Sequence, residues 1–207
     1  MLWAINQLCA PIKYLRIRAG PSLFQSKVVY DFILPAALTV LTLVVLALLS
    51  VPVSVASLGK LLTEISTLLA LLIGFYMAAL AAVATFERRG IDGPLRGDDA
   101  ILKTKRSSDG KIIHKKLTYR QFISYLFGYL SFVSIVLYAL LIAVTKSWAT
   151  LSVAATDSNH SRQFIAYVIE PVVFSIFVFF IWQLLIVSLL GIYFLSERIQ
   201  SLNDPEG

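Results

Sequence analysis

The stretch from Phe32 to Ser50 reads FILPAALTVLTLVVLALLS and carries no charge anywhere. A helix needs about 20 apolar residues to cross a hydrocarbon core of about 30 Å. This stretch meets that requirement, and three others follow it. Residues 61–86 have a single charge, Glu64, near their start, and residues 121–144 have none. Residues 167–196 have only Glu170, near their beginning. Runs this long and this apolar predict an all-α integral membrane protein, a four-helix transmembrane bundle.

Composition agrees. Of 207 residues, 58% are hydrophobic and 14% charged, with a mean hydropathy of +0.80. A soluble domain of this size carries about 25% charged residues. Here the polar surface is too small to cover the apolar surface in water, and lipid is the simpler solvent. The single cysteine, Cys9, excludes an intramolecular disulfide and any multi-cysteine zinc site. In its apolar surroundings it reads as an inert thiol or as a point of lipid attachment.

The charges are few and segregated. Before the first span stand Lys13, Arg16, Arg18 and Lys27, and the segment from 87 to 120 holds ten more basic residues. The tail has Arg198. The other two connections hold only Lys60, Lys146 and Arg162. With four spans, fifteen of the eighteen basic residues share one side, which the positive-inside bias assigns to the cytoplasm. Both termini are therefore expected there, in a bacterial inner membrane. The organisation reads as an N-terminal interfacial segment, 1–31, four spans, external connections at 51–60 and 145–166, a basic cytoplasmic loop at 87–120, and a tail at 197–207. A cleaved signal peptide is not expected, because the first apolar run begins only at Phe32 after a long flank, although Ser54-Val55-Ala56-Ser57 imitates a cleavage site.

The N-terminal segment mixes Leu2, Trp3, Ile5 and Leu8 with later basic residues, and Pro11 and Gly20-Pro21 break it into short pieces. It reads as an interfacial anchor or as a cap packed on the bundle. In the basic loop, two β-capable runs flank Asp109-Gly110, which predicts a hairpin. Its charges are Lys103, Lys105, Arg106, Lys111, Lys115 and Lys116. They suit anionic headgroups or a cytoplasmic protein partner. No aromatic residue interleaves with them to stack bases, so direct nucleic-acid binding is not expected. Thr118 and Gln121 have the spacing of a capping box at the start of the third span.

Within the spans, Ser66, Ala70, Gly74, Ala78 and Ala82 recur every four positions. Small residues in register let two helix backbones approach closely, either within one chain or between subunits. In the third span Phe122, Tyr125, Tyr129 and Phe132 share one face, with Tyr125 and Tyr129 near the interface, where a phenol keeps its hydroxyl wet. Ser124, Gly128, Ser131 and Ser134 lie on a neighbouring face, and their hydroxyls are expected to bond to their own backbone or across to a neighbour. Glu170-Pro171 reads as the first turn of the fourth helix, with Glu170 at the positive end of the dipole; the sharper reading has Glu170 titrating in a cavity. Gln183 is the strongly polar side chain deepest in the predicted bilayer and calls for an interhelical hydrogen bond.

Enzyme signatures are missing: there is no His-Glu-x-x-His, no Walker loop and no Gly-x-Ser-x-Gly. His114 and His160 fall on opposite sides of the predicted membrane, and Asp98-Asp99 stands alone in a glycine-rich turn. No catalytic residue, metal or cofactor is expected. A transporter fits poorly too, since one buried amide and no intramembrane ion pair leave little to hold a substrate.

Phe75-Tyr76-Met77-Ala78-Ala79-Leu80 leads toward the loop, which ends at Leu117-Thr118-Tyr119-Arg120-Gln121-Phe122, followed by Leu126-Phe127-Gly128-Tyr129-Leu130. With four spans and one basic central loop, this layout resembles the small membrane subunit of the Kiwa-type bacterial anti-phage defence system. The likeness is one of architecture over the whole chain, and no residue pattern is carried across. It implies an inner-membrane oligomer that senses phage attack and works with a DNA-binding cytoplasmic partner. The expectation is a non-enzymatic sensor or scaffold that contacts lipids, itself and a cytoplasmic protein. The alternative is an oligomeric pore that depolarises the membrane.

Overall fold

The computed structural model describes residues 7–18, 27–51, 53, 55–85, 101–105, 112–154 and 163–198. Among them are four helices long and apolar enough to cross a membrane. Helix α1 is helical at Lys27 and Val28, continues as a π-helical turn, Val29–Ile33, and runs into an α-helix, Leu34–Leu48. Helix α2 is Val55–Thr85 and α3 is Tyr119–Ala154. Helix α4 joins a π-helical stretch, Ile165–Ile169, to the α-helix Glu170–Tyr193 and a further π-helical stretch, Phe194–Arg198. The chain is an all-α four-helix membrane bundle.

Prolines explain two of the wide turns. Pro35 and Pro171 each stand just past a π-helical stretch. A proline has no N–H to donate, and its ring crowds the carbonyl four residues back. Widening the preceding turn relieves both problems without ending the helix. This corrects the reading of Glu170-Pro171 as a helix start. Ile169 already has helical angles, φ −71° and ψ −46°, so Glu170 sits inside a helix that runs through it. The other end of α1 closes tightly. Val51 N–H bonds to Leu46 O at 3.0 Å and Ser50 N–H to Ala47 O at 3.1 Å, a Schellman closure with Ser50 left-handed at φ 53°.

In lipid the helices gain little from hydrophobic association, so close packing and interhelical hydrogen bonds hold them together. Helix α3 is central. Its Leu126, Phe127 and Leu130 are fully buried, packed in one core with Leu69, Tyr76 and Val83 of α2 and Phe174, Phe177, Leu184 and Val187 of α4. Gly191 of α4 meets Leu126 and Phe127 so closely that a Cβ there would lie 3.0 Å from each. Helix α1 packs mainly on α4, where Trp182 Nε1 donates to Thr42 Oγ1 at 3.0 Å.

A small sheet lies at one end of the bundle. The expected hairpin forms from β2, Ile101–Lys105, and β3, Ile112–Lys116, antiparallel with Lys103 opposite His114. A third strand comes from the N-terminal segment: β1, Ile17–Arg18, pairs antiparallel with β2, Ile17 opposite Leu102. Ile17, Leu102 and Leu117 are buried and root the sheet in the main core. Ahead of β1 runs a 3-10 helix, Ala10–Arg16. Of the two N-terminal readings, the cap packed on the bundle therefore describes residues 10–18, while Trp3 lies outside the described residues. Cys9, at the start of this helix, is a free and exposed thiol.

Hydrogen bonds fix the relative levels of the helices. The Tyr119 hydroxyl of α3 donates to the Phe194 carbonyl of α4, so these two residues mark the sheet end of the bundle. Gln183 of α4 is bonded to Asp31, in the first turn of α1. At about 1.5 Å per residue, Asp31 lies roughly 16 Å short of the level of Phe194, and α1 begins only about one turn nearer to it. The N-terminal 3-10 helix occupies the quarter of the bundle that α1 does not reach. It packs along α3 with Tyr14 stacked on Tyr129, ring centroids 5.0 Å apart.

Candidate functional site

The polar interior of the protein lies where the N-terminal segment, the start of α1, α3 and α4 meet. Lys27 and Asp31 are one helical turn apart, an i,i+4 spacing that puts both on the same face. Their side chains form a buried ion pair; Lys27 is 7% exposed and Asp31 1%. The second carboxylate oxygen of Asp31 accepts a hydrogen bond from the Tyr14 hydroxyl at 3.2 Å. The Lys27 ammonium also lies over the Tyr14 ring, 3.7 Å from its centroid. From α4, Gln183 Nε2 donates to the backbone carbonyl of Asp31 at 2.9 Å. The Tyr129 hydroxyl of α3 faces the Gln183 side chain, whose Oε1 has no hydrogen-bond partner within ordinary geometry.

The chemistry follows from burial. A lone charge in this setting would be driven to neutralise, and the pair persists because each ion is the other's counter-charge. Burial draws the Lys27 ammonium below its ordinary value, opposed by the Asp31 carboxylate. Burial also pushes the Tyr14 hydroxyl well above its ordinary value, and the Asp31 charge adds to that push. Tyr14 is therefore held as a hydrogen-bond donor. The cluster ties four separate parts of the chain together and aims no activated nucleophile at open space.

This ion pair corrects one expectation: a polar interior of one buried amide without an ion pair does not hold. The physical reason is helix length. The first helix extends upstream of Phe32, which carries Asp31 and Lys27 into the bundle. Their spacing was visible in the sequence, and reading the helix five residues further back, to Lys27, would have exposed it. Nothing local marked Tyr14, because its partners come from distant segments. Tyr129 differs as well: it is buried rather than wet, because the 3-10 helix covers it.

The other sequence-derived residues are scattered. Glu170 is half-buried and accepts a hydrogen bond from Trp148 Nε1 at 3.0 Å. It lies about 20 Å along α4 from Gln183, so the two do not share a site. In the small-residue series, Ala70, Gly74 and Ala78 are exposed and Ser66 and Ala82 half-buried, while Leu69, Tyr76, Ala79 and Val83 face the core. Among the described residues, the middle of the series is therefore not packed within one chain, and a Cβ on Gly74 would meet nothing within 4 Å. Ser131 and Ser134 are buried without hydroxyl partners, against the expectation of backbone bonds. Ser175 and Ser188, by contrast, do donate to the carbonyls four residues back, those of Pro171 and Leu184. The Gln121 N–H donates to Thr118 Oγ1 at 3.3 Å, but the Gln121 Oε1 has no partner, so only half of the capping box forms.

Of the basic residues, Lys103, Lys105, Lys115 and Lys116 lie on the paired strands, while Arg106 and Lys111 lie outside the described residues, as do Asp98, Asp99 and His160. Among the described residues no three of His, Cys, Asp and Glu come together as a metal site would require. The chain matches no protein-family model, no curated protein and no solved structure.

Proposed function

We propose that this chain is a non-enzymatic sensor or scaffold of a bacterial inner membrane. It works as a homo-oligomer and presents its basic sheet to a cytoplasmic protein partner, in the anti-phage setting that the resemblance implies. One observation carries this reading: the basic hairpin and the buried ion pair are joined through a single short segment. β1 pairs with the hairpin strand β2, and the 3-10 helix just before β1 holds Tyr14 against Asp31 of α1. A shift of α1 against α3 and α4 would break buried polar contacts that have no water to replace them. The same shift would pull on β1 and hence on the sheet. A change in the membrane thus has a short, stiff path to the surface where a partner binds.

The charge distribution sets the orientation in this reading, with the sheet end toward the cytoplasm. The exposed faces of Ala70, Gly74 and Ala78 are where the subunits would meet.

The test reverses charge in the sheet. Changing Lys103, Lys105, Arg106, Lys111, Lys115 and Lys116 to Glu leaves Arg88, Arg89, Arg96 and Arg120 in the loop, enough to keep the chain inserted. Cross-linked partner capture from cells should fall with the reversal. In the wild type it should weaken at high salt, since exposed charges are screened beyond about 8 Å at physiological ionic strength. Unchanged capture would refute the reading. Ion flux from the purified protein in liposomes would point instead to a pore.

A further inference from the structure

A trough of about 240 Å³ runs beside the polar cluster and is lined almost wholly by carbon. It is open on one side and lies within the membrane-spanning part of α3 and α4. Phe132, Val136 and Leu140 of α3, Phe180 of α4 and Ile12 and Leu15 of the 3-10 helix are among the residues that line it. An engineered apolar cavity of about 150 Å³ is large enough to take up benzene, and this trough exceeds it. From Tyr129 to Leu140 it extends about 16 Å along α3, close to the roughly 15 Å depth of one leaflet's hydrocarbon.

The 3-10 helix gives the trough a charged mouth. With three residues per turn, Ile12 and Leu15 share the face that lines the trough. Tyr14 lies on a second face and is buried in the cluster. Lys13 and Arg16 share the third face and are exposed. Tyr14 stacks on Tyr129 and lies 6.4 Å from Phe122, which places this helix at the sheet end of the trough. The arrangement is an apolar slot one leaflet deep with two cations at its headgroup end. We infer that it binds an anionic phospholipid of the leaflet on the sheet side, with one acyl chain in the trough and the phosphate on Lys13 and Arg16. A second copy of the chain suits the slot less well. Inserted the same way round, it brings its own basic residues to the same depth and sets like charge against Lys13 and Arg16.

The test uses the full-length protein in mild detergent, with native mass spectrometry and added dioleoyl phosphatidylglycerol or dioleoyl phosphatidylcholine. The wild type should retain the glycerol lipid in preference. Lys13→Gln with Arg16→Gln should remove that preference, a loss of roughly 30-fold for two surface cations, with a smaller loss for the choline lipid, which has the same phosphate but no net charge. Val136→Phe, which fills the trough, should weaken both lipids, with circular dichroism confirming retained helix. Equal wild-type binding of the two lipids would overturn the inference. So would unchanged occupancy in Val136→Phe, or a Val136→Phe protein that loses its oligomer while each chain keeps its lipid, which would assign the trough to a second copy.

Discussion

Replacing Asp31 with Asn tests the polar cluster most directly. The amide keeps the size of the side chain and leaves untouched the backbone carbonyl that Gln183 uses. It removes the counter-charge of Lys27, whose side chain is 6% exposed in the pair. Stranding one member of a buried ion pair typically costs about 3–5 kcal/mol. Two features soften the loss here. The ammonium keeps its position over the Tyr14 ring, and such a contact contributes up to about 2 kcal/mol when desolvated. Its proton affinity is also already lowered by burial, so it can discharge. The expected net loss is about 3 kcal/mol. Lys27→Met combined with Asp31→Asn removes the stranded charge and should restore stability to within about 1 kcal/mol of the wild type, since apolar replacements of a whole buried pair are often neutral. The measurement is denaturant unfolding in mixed micelles followed by circular dichroism, run as a double-mutant cycle. If Asp31→Asn falls within about 0.5 kcal/mol of the wild type, or if the double mutant is as unstable as the sum of its parts, the pair is not the buried link described.

Gly74→Ile should leave thermal stability unchanged, because a Cβ there meets nothing within 4 Å. It should also shift the protein to a smaller species in size-exclusion chromatography, if the exposed small residues join subunits. Ala79→Ile, at a position 8% exposed, should instead cost about 1–3 kcal/mol by overpacking, seen as a lower unfolding midpoint. Gly191→Ala sets a Cβ 3.0 Å from Leu126 and Phe127 and should lose about 1 kcal/mol despite its better helix propensity. Gly128→Ala has open space around it and should gain up to about 1 kcal/mol; equal behaviour of the two in thermal unfolding would contradict the α3–α4 packing.

By itself, the sequence determined that this chain lives in lipid, spans it with four helices and folds its basic loop into a hairpin. Those properties are additive or local. Twenty apolar residues such as Phe32 to Ser50 have one favourable environment, and two β-capable runs across Asp109-Gly110 have one convenient pairing. Tertiary structure decided the rest, because it depends on partners far apart in sequence. The period-four series through Gly74 shows small residues on one face, but only the placement of Leu69, Tyr76, Ala79 and Val83 against α3 and α4 turns that face outward. Strand β1 is two residues long, too short to be seen without the β2 edge it joins. Lys27 and Asp31 looked like flanking charges until the first helix proved to include them. Burial in the bundle then left each ion with the other as its counter-charge. Tyr14 became a buried donor only because α1 begins short of the sheet end and the N-terminal segment fills the space.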